Sequence, residues 1–276
     1  MKQGPKPVRI PDLLEQKQRG EKITVLTAYD ATMARHLDCA GVDAILVGDS
    51  LGMVIMGHET TLEVTLDMMV HHTQAVVRGT SRALIIADMP FLAAQVSIPE
   101  AVANAGRLIQ EGGAAAVKIE GGRAVLDTVR RLVDVGIPVM GHLGLQPQSM
   151  HQIGGFLKQA TARDAADRLL DDARALEEAG AFAIVLESIP ADVAAATTRT
   201  LSIPTIGIGA GPSCDGQVLV GHDMLGLSVG APPPFVRQYA RLAEAISAAA
   251  AVYVSDVKDG RFPERPAPAG TALDRT

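Results

Sequence analysis

The stretch TARDAADRLLDDARALEEAGAFAIVLES (residues 161–188) contains a helix, a glycine and a strand in direct succession. At 3.6 residues per turn its first part places apolar side chains on one stripe, at Ala166, Leu169, Leu170, Ala173, Leu176 and Ala179. Gly180 suits the end of this helix, because glycine readily adopts the left-handed conformation that often follows a helix. The final AFAIVLES is continuously apolar, which is typical of a parallel strand buried on both faces.

Similar apolar runs recur along the chain and are mostly separated by segments of helical period. The predicted strands are ITVLTAY (23–29), AILVGD (44–49), ALIIADM (83–89), AAVKIEG (115–121), PVMGHLG (138–144), AFAIVLES (181–188), PTIGIGA (204–210) and GQVLVGHDML (216–225). About eight strand–helix units predict an α/β fold, a (β/α)8 TIM barrel, with a short N-terminal helix in PDLLEQKQRG (11–20). An open doubly wound sheet is the alternative, although it would usually have fewer strands, and no GxGxxG follows the first one.

The composition limits the class of protein. The chain has 276 residues, 47% of them apolar, and a net charge of −6 without a basic cluster, which argues against a nucleic-acid partner. The first residues, MKQGPKPVRIPDLL, contain no apolar leader-like region, and the sequence has no run of about 18 apolar residues, so we expect neither secretion nor membrane spanning. Two cysteines, Cys39 and Cys214, are too few for a disulfide framework and favour the cytoplasm. We expect one catalytic domain over 1–260 and a disordered, Pro- and Ala-rich tail over 261–276.

Charged side chains fall where the predicted strands end, and successive strands contribute Asp49 with Ser50, Asp88, Lys118 with Glu120, His142, and Glu187 with Ser188. In a TIM barrel the active site lies at the C-terminal ends of the strands. Buried charges are costly unless they are paired or functional, so this set predicts a site. Asp49, Asp88 and Glu120 offer oxygen ligands, which suit Mg²⁺ better than Zn²⁺ because no His or Cys accompanies them.

Each of these residues also has a structural interpretation. Asp49 and Asp88 could cap the helices that follow them. Lys118 and Glu120 could form an ion pair inside the barrel, and an isolated His142 is more often a hydrogen-bonded core residue. The recurrence of acidic residues at equivalent strand ends favours a site.

Several segments together resemble ketopantoate hydroxymethyltransferases, also called 3-methyl-2-oxobutanoate hydroxymethyltransferases. The similarity covers residues 6–263 in order, through TAYD (27–30), VGDSLGMV (47–54), GHETTLEVTLDMMVHHTQAVVRG (57–79), ADMPF (87–91), VKIEGG (117–122), GHLGLQPQS (141–149), LES (186–188) and IGIGAG.SCDGQVLV.HDMLG (206–226). GDSLGMV, VKIEGG and GHLGLQPQS are the most specific of these.

The resemblance implies an enzyme that transfers a hydroxymethyl group from 5,10-methylenetetrahydrofolate to 3-methyl-2-oxobutanoate. The products would be 2-dehydropantoate (ketopantoate) and tetrahydrofolate, in the first committed step of pantothenate biosynthesis. The reaction would pass through a Mg-stabilised enolate. A homo-oligomer is also implied, in many bacterial members a decamer.

The resemblance also assigns roles to the strand-end residues. Asp49, Asp88 and Glu120 would hold Mg²⁺, with Asp88 binding directly or through water. The substrate-binding residues would be Asp49, Ser50, Asp88, Lys118 and His142. Glu187 would be the catalytic base.

Two other functions share these features. A Mg²⁺-dependent C–C lyase or mutase of the phosphoenolpyruvate mutase/isocitrate lyase type would have a reactive cysteine after a mid-barrel strand, whereas Cys39 follows the first strand and Cys214 the seventh. A non-catalytic metal-binding or assembly protein on the same fold would tolerate loss of Glu187, whereas an enzyme would not. The loop LQPQSMHQIGGFLKQA (145–160) is long, and loops of this length in compact domains more often have a function than not, so we expect it to be functional. No motif identifies the folate site.

Overall fold

The computed structural model describes residues 6–264, in which eight parallel strands form a closed barrel in sequential order. The strands are β1 (Ile23–Thr27), β2 (Ala44–Val47), β3 (Leu84–Asp88), β4 (Ala116–Glu120), β5 (Val139–Gly144), β6 (Ala183–Glu187), β7 (Thr205–Ile208) and β8 (Gly216–Leu219). The barrel closes where β1 pairs with β8, with Val25 beside Val218. The predicted (β/α)8 barrel is therefore confirmed.

The helices lie largely between the strands. They are α1 (Ile10–Arg19), α2 (Ala31–Ala40), α3 (Leu51–Val54), α4 (Leu66–Gly79), α5 (Ile98–Gln110), α6 (Leu126–Asp134), α7 (Met150–Ile153), α8 (Arg163–Glu178), α9 (Ala191–Thr200), α10 (Gly221–Met224) and α11 (Leu242–Lys258), with 3₁₀ turns at Arg123–Val125 and Pro147–Ser149. In α8 the predicted stripe buries Leu169, Ala173 and Leu176, and Gly180 follows with a φ of +96°. Within residues 6–264, no helix combines the length and apolarity needed to cross a membrane.

The prediction for the last strand is wrong beyond Leu219, because Gly221–Met224 form the short helix α10 instead. The chain turns there against β1. A Cβ on Gly221 would lie 2.4 Å from the carbonyl oxygen of Thr27, so only glycine allows this approach. The predicted domain boundary stays a prediction, and residues 265–276 of the predicted tail lie outside the described residues.

Two apolar clusters form the core, one between the sheet and the helices and one inside the barrel. Inward-facing residues of the strands, such as Ile86, Met140 and Val185, fill the barrel, and Leu13 of α1 packs into the same cluster. Side chains alternate along a strand, so the inward-facing series continues two residues further on. It ends in polar side chains at Asp88, Lys118, Glu120, His142 and Glu187.

Candidate active site

A cavity of about 100 Å³ lies at the C-terminal ends of the barrel strands. All the predicted site residues line it, namely Asp49, Ser50, Asp88, Lys118, Glu120, His142 and Glu187. Leu46, Val185, Ile208 and Val218 supply apolar lining. Pockets for drug-sized ligands enclose roughly 300–1,000 Å³, so this cavity suits a much smaller molecule.

Lys118 pairs with Asp88 and not with Glu120. Lys118 Nζ lies 2.7 Å from Asp88 Oδ1, and both side chains are almost fully buried. The backbone N–H of Asp49 donates to Asp88 Oδ2 over 3.1 Å. Asp88 caps no helix, because α5, the helix that follows β3, has Ser97 as its N-cap. Burial alone would lower the pKa of Lys118, but Asp88, Glu120 and Asp49 outweigh it and raise that pKa. Lys118 therefore stays charged.

Asp49 is a buried carboxylate with an amide as its hydrogen-bond partner. Gln148 Nε2 donates to Asp49 Oδ2 over 2.8 Å, and α3 has no side-chain cap, so the capping interpretation is wrong. Burial, followed by the charges of Asp88 and Glu120, raises the pKa of Asp49 well above its usual value. Negative charge is therefore in excess around this residue.

Glu120 is held by a backbone amide and a histidine. The backbone N–H of Gln148 donates to Glu120 Oε2 over 3.1 Å, and His142 Nδ1 lies 3.3 Å from Glu120 Oε1. Burial raises the pKa of Glu120, but His142, Lys118 and the Gln148 amide together lower it below its usual value. Glu120 is thus ionised at neutral pH.

His142 lies between two carboxylates. Its Nε2 is 3.1 Å from Glu187 Oε2, and Lys118 Nζ lies 3.4 Å from its Nδ1. Burial and Lys118 oppose protonation of the ring, but Glu120 and Glu187 raise the pKa of His142 to about 9. The predicted pocket histidine is therefore also an electrostatic connection between Glu120 and Glu187.

Glu187 is the most exposed of the cavity carboxylates, with 17% of its side chain accessible. The next residue, Ser188, has a φ of +48°, a strained conformation for a residue other than glycine. Its N–H donates to the Ile208 carbonyl over 2.8 Å, and its carbonyl accepts from the N–H of Gln159 over 2.9 Å. These bonds fix the turn immediately after Glu187.

Reasoning from sequence missed three participants, which are Gln148, Tyr29 and Thr27. Gln148 bonds Asp49 and Glu120, and its Nε2 also donates to the Met89 carbonyl over 2.9 Å. Ser50 is half-buried, and its Oγ lies 2.8 Å from the hydroxyl of Tyr29, which in turn accepts from Thr27. The length of the 145–160 loop was the available signal for Gln148. For Tyr29 it was the need of a buried tyrosine hydroxyl for a partner.

The donor set fits a hard cation such as Mg²⁺. The three carboxylates of Asp49, Asp88 and Glu120 are each at most 6% exposed and line one cavity. Lys118 also lines this cavity and pairs with one of them, Asp88. Within residues 6–264, however, no three His, Cys, Asp or Glu side chains are grouped closely enough to hold a metal ion in this arrangement. The excess negative charge at Asp49 is what favours a cation. The ligand roles stay predictions.

Comparison with known proteins identifies relatives along almost the whole chain. Residues 7–265 match the profile of the family described as ketopantoate hydroxymethyltransferase. A 3-methyl-2-oxobutanoate hydroxymethyltransferase of Moorella thermoacetica is 57% identical over 94% of this chain and 96% of its own length. A protein of the same name from Trichlorobacter lovleyi is 58% identical over 94% of this chain and 97% of its own length.

Solved structures of low sequence identity share the fold. A phosphonopyruvate hydrolase in complex with oxalate and Mg²⁺ superposes with a TM-score of 0.62 at 14% identity, covering 95% of this chain and 92% of that one. A 2,3-dimethylmalate lyase of the phosphoenolpyruvate mutase/isocitrate lyase superfamily gives 0.57 at 17% identity, covering 97% and 92%. Both similarities support the barrel architecture.

Proposed function

This chain belongs to the ketopantoate hydroxymethyltransferase family and is a hydroxymethyltransferase of the pantothenate pathway, and from that premise we propose its donor, metal and catalytic residues. The proposed reaction moves a one-carbon unit from 5,10-methylenetetrahydrofolate to 3-methyl-2-oxobutanoate. With one water molecule consumed, the products are 2-dehydropantoate and tetrahydrofolate. The convergence of seven predicted residues on one small cavity is the observation that carries the proposal.

The oxo acid is proposed to bind in this cavity. Its carboxylate needs a cation and hydrogen-bond donors, and Lys118 and Ser50 both line the space. Lys118 is kept charged by the surrounding carboxylates, so it can neutralise the substrate carboxylate as a point charge. The apolar lining, which includes Val185 and Ile208, suits the branched alkyl end of the substrate.

Asp49 and Glu120 would hold Mg²⁺, with Asp88 contributing directly or through water. Both oxygens of Asp88 already have partners in Lys118 and the Asp49 amide, which favours the contact through water. When bound, Mg²⁺ would act as a Lewis acid that stabilises negative charge on the keto oxygen of the substrate. Glu187 contacts His142 and lies outside this ligand set, so it is free for proton transfer.

Glu187 is proposed to take the proton from C3 of the oxo acid. The C–H bond breaks and its electron pair forms the enolate. Water adds to the one-carbon unit as its two C–N bonds to the folate break, which releases tetrahydrofolate and leaves the unit as formaldehyde. The enolate carbon attacks this carbonyl carbon, and the resulting alkoxide takes up a proton to give the hydroxymethyl group. A carboxylate in reach of the cavity can act as a general base. His142 beside Glu187 supplies positive charge that orients the carboxylate.

An assay of 2-dehydropantoate formation tests the proposal. The purified protein is incubated with 3-methyl-2-oxobutanoate and 5,10-methylenetetrahydrofolate, with Mg²⁺ or with a chelator. We expect product only when all three are present. Product that forms equally well under chelation would remove the metal from the proposal, and failure with this folate would remove the donor.

The structure does not favour the lyase or mutase alternative. Cys39 lies exposed on α2, and Cys214 is buried. Neither cysteine lines the cavity. Cleavage of 2,3-dimethylmalate by the purified protein would restore this alternative.

The proposed homo-oligomer is supported by α11. None of its residues is buried, and Ile246, Val252 and Tyr253 are each more than half exposed. Apolar side chains on one exposed helix are a common feature of subunit interfaces. Light scattering of the purified protein measures the subunit number, and a monomer would contradict the proposal. The cytoplasmic location likewise remains a proposal.

A further inference from the structure

We propose that Tyr29 is a positioning residue for substrate recognition. In this proposal a directed chain of hydroxyl groups, from Thr27 through Tyr29 to Ser50, makes Ser50 a hydrogen-bond donor towards the cavity. The proposal rests on the proposed binding of the oxo acid at Ser50, and it adds a residue to which neither the sequence motifs nor the comparisons give a role.

The direction of the chain is set at Thr27. The backbone N–H of Gly221 donates to Thr27 Oγ1 over 2.9 Å. Glycine is required at position 221 because an added Cβ would lie 2.4 Å from the carbonyl oxygen of Thr27. An N–H group can only donate, so Thr27 Oγ1 is an acceptor in this bond. The hydroxyl proton of Thr27 therefore needs a different acceptor, and the Tyr29 hydroxyl lies 2.8 Å away.

In the proposed chain the Tyr29 hydroxyl accepts from Thr27 and donates to Ser50. Its side chain is 1% exposed, and its hydroxyl has two recorded partners among the described residues, Thr27 and Ser50. Because it accepts from Thr27, its own proton points to Ser50 Oγ, 2.8 Å away. Burial raises the pKa of Tyr29, so the phenol keeps this proton at any physiological pH.

Ser50 is the end of the chain and the part that faces the cavity. It accepts from Tyr29, and within residues 6–264 its hydroxyl forms no other hydrogen bond. Its own proton is therefore available to a ligand. Ser50 is half-buried and lines the same cavity as Lys118, so an acceptor such as a carboxylate oxygen fits this position.

The consequence is a specificity for acceptors. A serine hydroxyl without a fixed partner can donate or accept, because its proton rotates freely. Part of its binding energy for a carboxylate is then spent on fixing the donating orientation. A serine that already accepts from Tyr29 is biased towards donating its own proton. Lys118 adds a positive charge in the same cavity. The cavity is thus arranged for an anionic group of the 2-oxo acid.

A double-mutant cycle tests the proposal through substrate binding. The dissociation constant of 3-methyl-2-oxobutanoate is measured by calorimetry, with Mg²⁺ present, for wild type, Y29F, S50A and Y29F/S50A. We expect S50A to weaken binding about tenfold and Y29F about three- to tenfold. Once Ser50 is absent, Y29F should add less than about twofold. In steady-state kinetics Y29F should raise KM with a smaller effect on kcat.

Controls keep packing separate from the hydroxyl chain. Y239F removes the hydroxyl of an exposed tyrosine that does not line the cavity and should leave the dissociation constant unchanged. T27S keeps the first hydroxyl and should bind like wild type, whereas T27V should weaken binding only while Ser50 is present. If Y29F does not fold, the T27V/S50A pair gives the same test.

Additive effects of Y29F and S50A, or an unchanged affinity in Y29F, would overturn the role of Tyr29 while leaving the proposed function intact. If wild type fails to bind the oxo acid, the proposed function fails instead. The chain is then tested by thermal unfolding of the same four proteins without ligand. Coupled losses in melting temperature are expected, and additive losses would show that Tyr29 and Ser50 are not connected.

Discussion

Nε2 of His142 lies 3.1 Å from Oε2 of Glu187, at the C-terminal ends of the adjacent strands β5 and β6. On its other side, Nδ1 of the same ring lies 3.3 Å from Oε1 of Glu120. One buried imidazole thus connects the proposed base with a proposed metal ligand. A change in the charge of either carboxylate is therefore expected to change the protonation of His142, and through it the electrostatic environment of the other carboxylate.

Glu187→Gln removes the proposed base and keeps its shape. We expect Mg²⁺-dependent deuterium uptake at C3 of 3-methyl-2-oxobutanoate to fall by about 10²- to 10⁴-fold, the usual contribution of a general base. The dissociation constant of the oxo acid should change little, because Ser50 and Lys118 are untouched. E178Q on the outer part of α8 is the matched control. Undiminished exchange in E187Q would remove Glu187 from this role.

His142 should make the metal-free protein less stable at alkaline pH. Its pKa is about 9 in the folded protein against 6.5 for the free side chain. The folded state therefore holds the extra proton between these values, and the stabilisation is complete below pH 6.5 and lost as the pH rises through 9. The slope is about 1.4 kcal/mol per pH unit for one proton.

His142→Asn should flatten this pH dependence. The free energy of unfolding is measured by urea titration from pH 6 to pH 10 in the presence of a chelator. H151N, at an exposed histidine, is the control and should keep the wild-type slope. Equal slopes in H142N and wild type would contradict the raised pKa.

The barrel and the composition of the site could be predicted from the sequence, whereas its internal connections could not. Continuous apolar runs that end in charged residues place Asp88 or Glu187 at the correct end of a strand, because strand geometry and burial act locally. That Lys118 pairs with Asp88 and not with Glu120 depends on the register between β3 and β4. Gln148 lies in a single 3₁₀ turn of the 145–160 loop, which is too short for a periodic pattern to indicate which way its side chain points.

Asp49→Asn should stabilise the metal-free protein while it weakens the response to Mg²⁺. Burial and the charges of Asp88 and Glu120 disfavour the ionised Asp49 carboxylate. Asparagine removes that charge and can still accept from Gln148. We expect the melting temperature without metal to rise, by about 2–4 °C for each kcal/mol gained. Differential scanning calorimetry and Mg²⁺ titration check both parts. A lower melting temperature would contradict the unfavourable charge at Asp49, and an unchanged metal dependence would contradict its assignment as a metal ligand.

Gln148→Leu should weaken Mg²⁺ binding. The variant keeps the backbone bond to Glu120 but loses the side-chain bond that orients Asp49. Loss of a residue that orients a metal ligand typically costs about 10- to 100-fold in metal affinity, and we expect the lower end. Calorimetric titration with Mg²⁺ measures this directly. Q152L, at an exposed glutamine of the same loop, should bind Mg²⁺ like wild type, and equal affinity in Q148L would exclude the orienting role.

Gly144→Ala should destabilise the protein and reduce its activity. Gly144 ends β5 with a φ of +94°, and an added Cβ would lie 2.2 Å from the carbonyl oxygen of Glu187. The N–H of Leu145 donates to that same carbonyl over 2.9 Å. Alanine at position 144 therefore forces the end of β5 away from β6 at Glu187, the proposed base.

Gly136→Ala separates backbone strain from this clash. Gly136 has a φ of +88°, but an added Cβ would meet no atom within 4 Å. We expect G136A to cost about 1 kcal/mol from the left-handed conformation alone. G144A should cost about 3 kcal/mol or more, since the overlap adds to the same strain. Urea denaturation of both variants measures the difference. Equal losses would mean that β5 and β6 do not approach as closely at Glu187 as the structure places them.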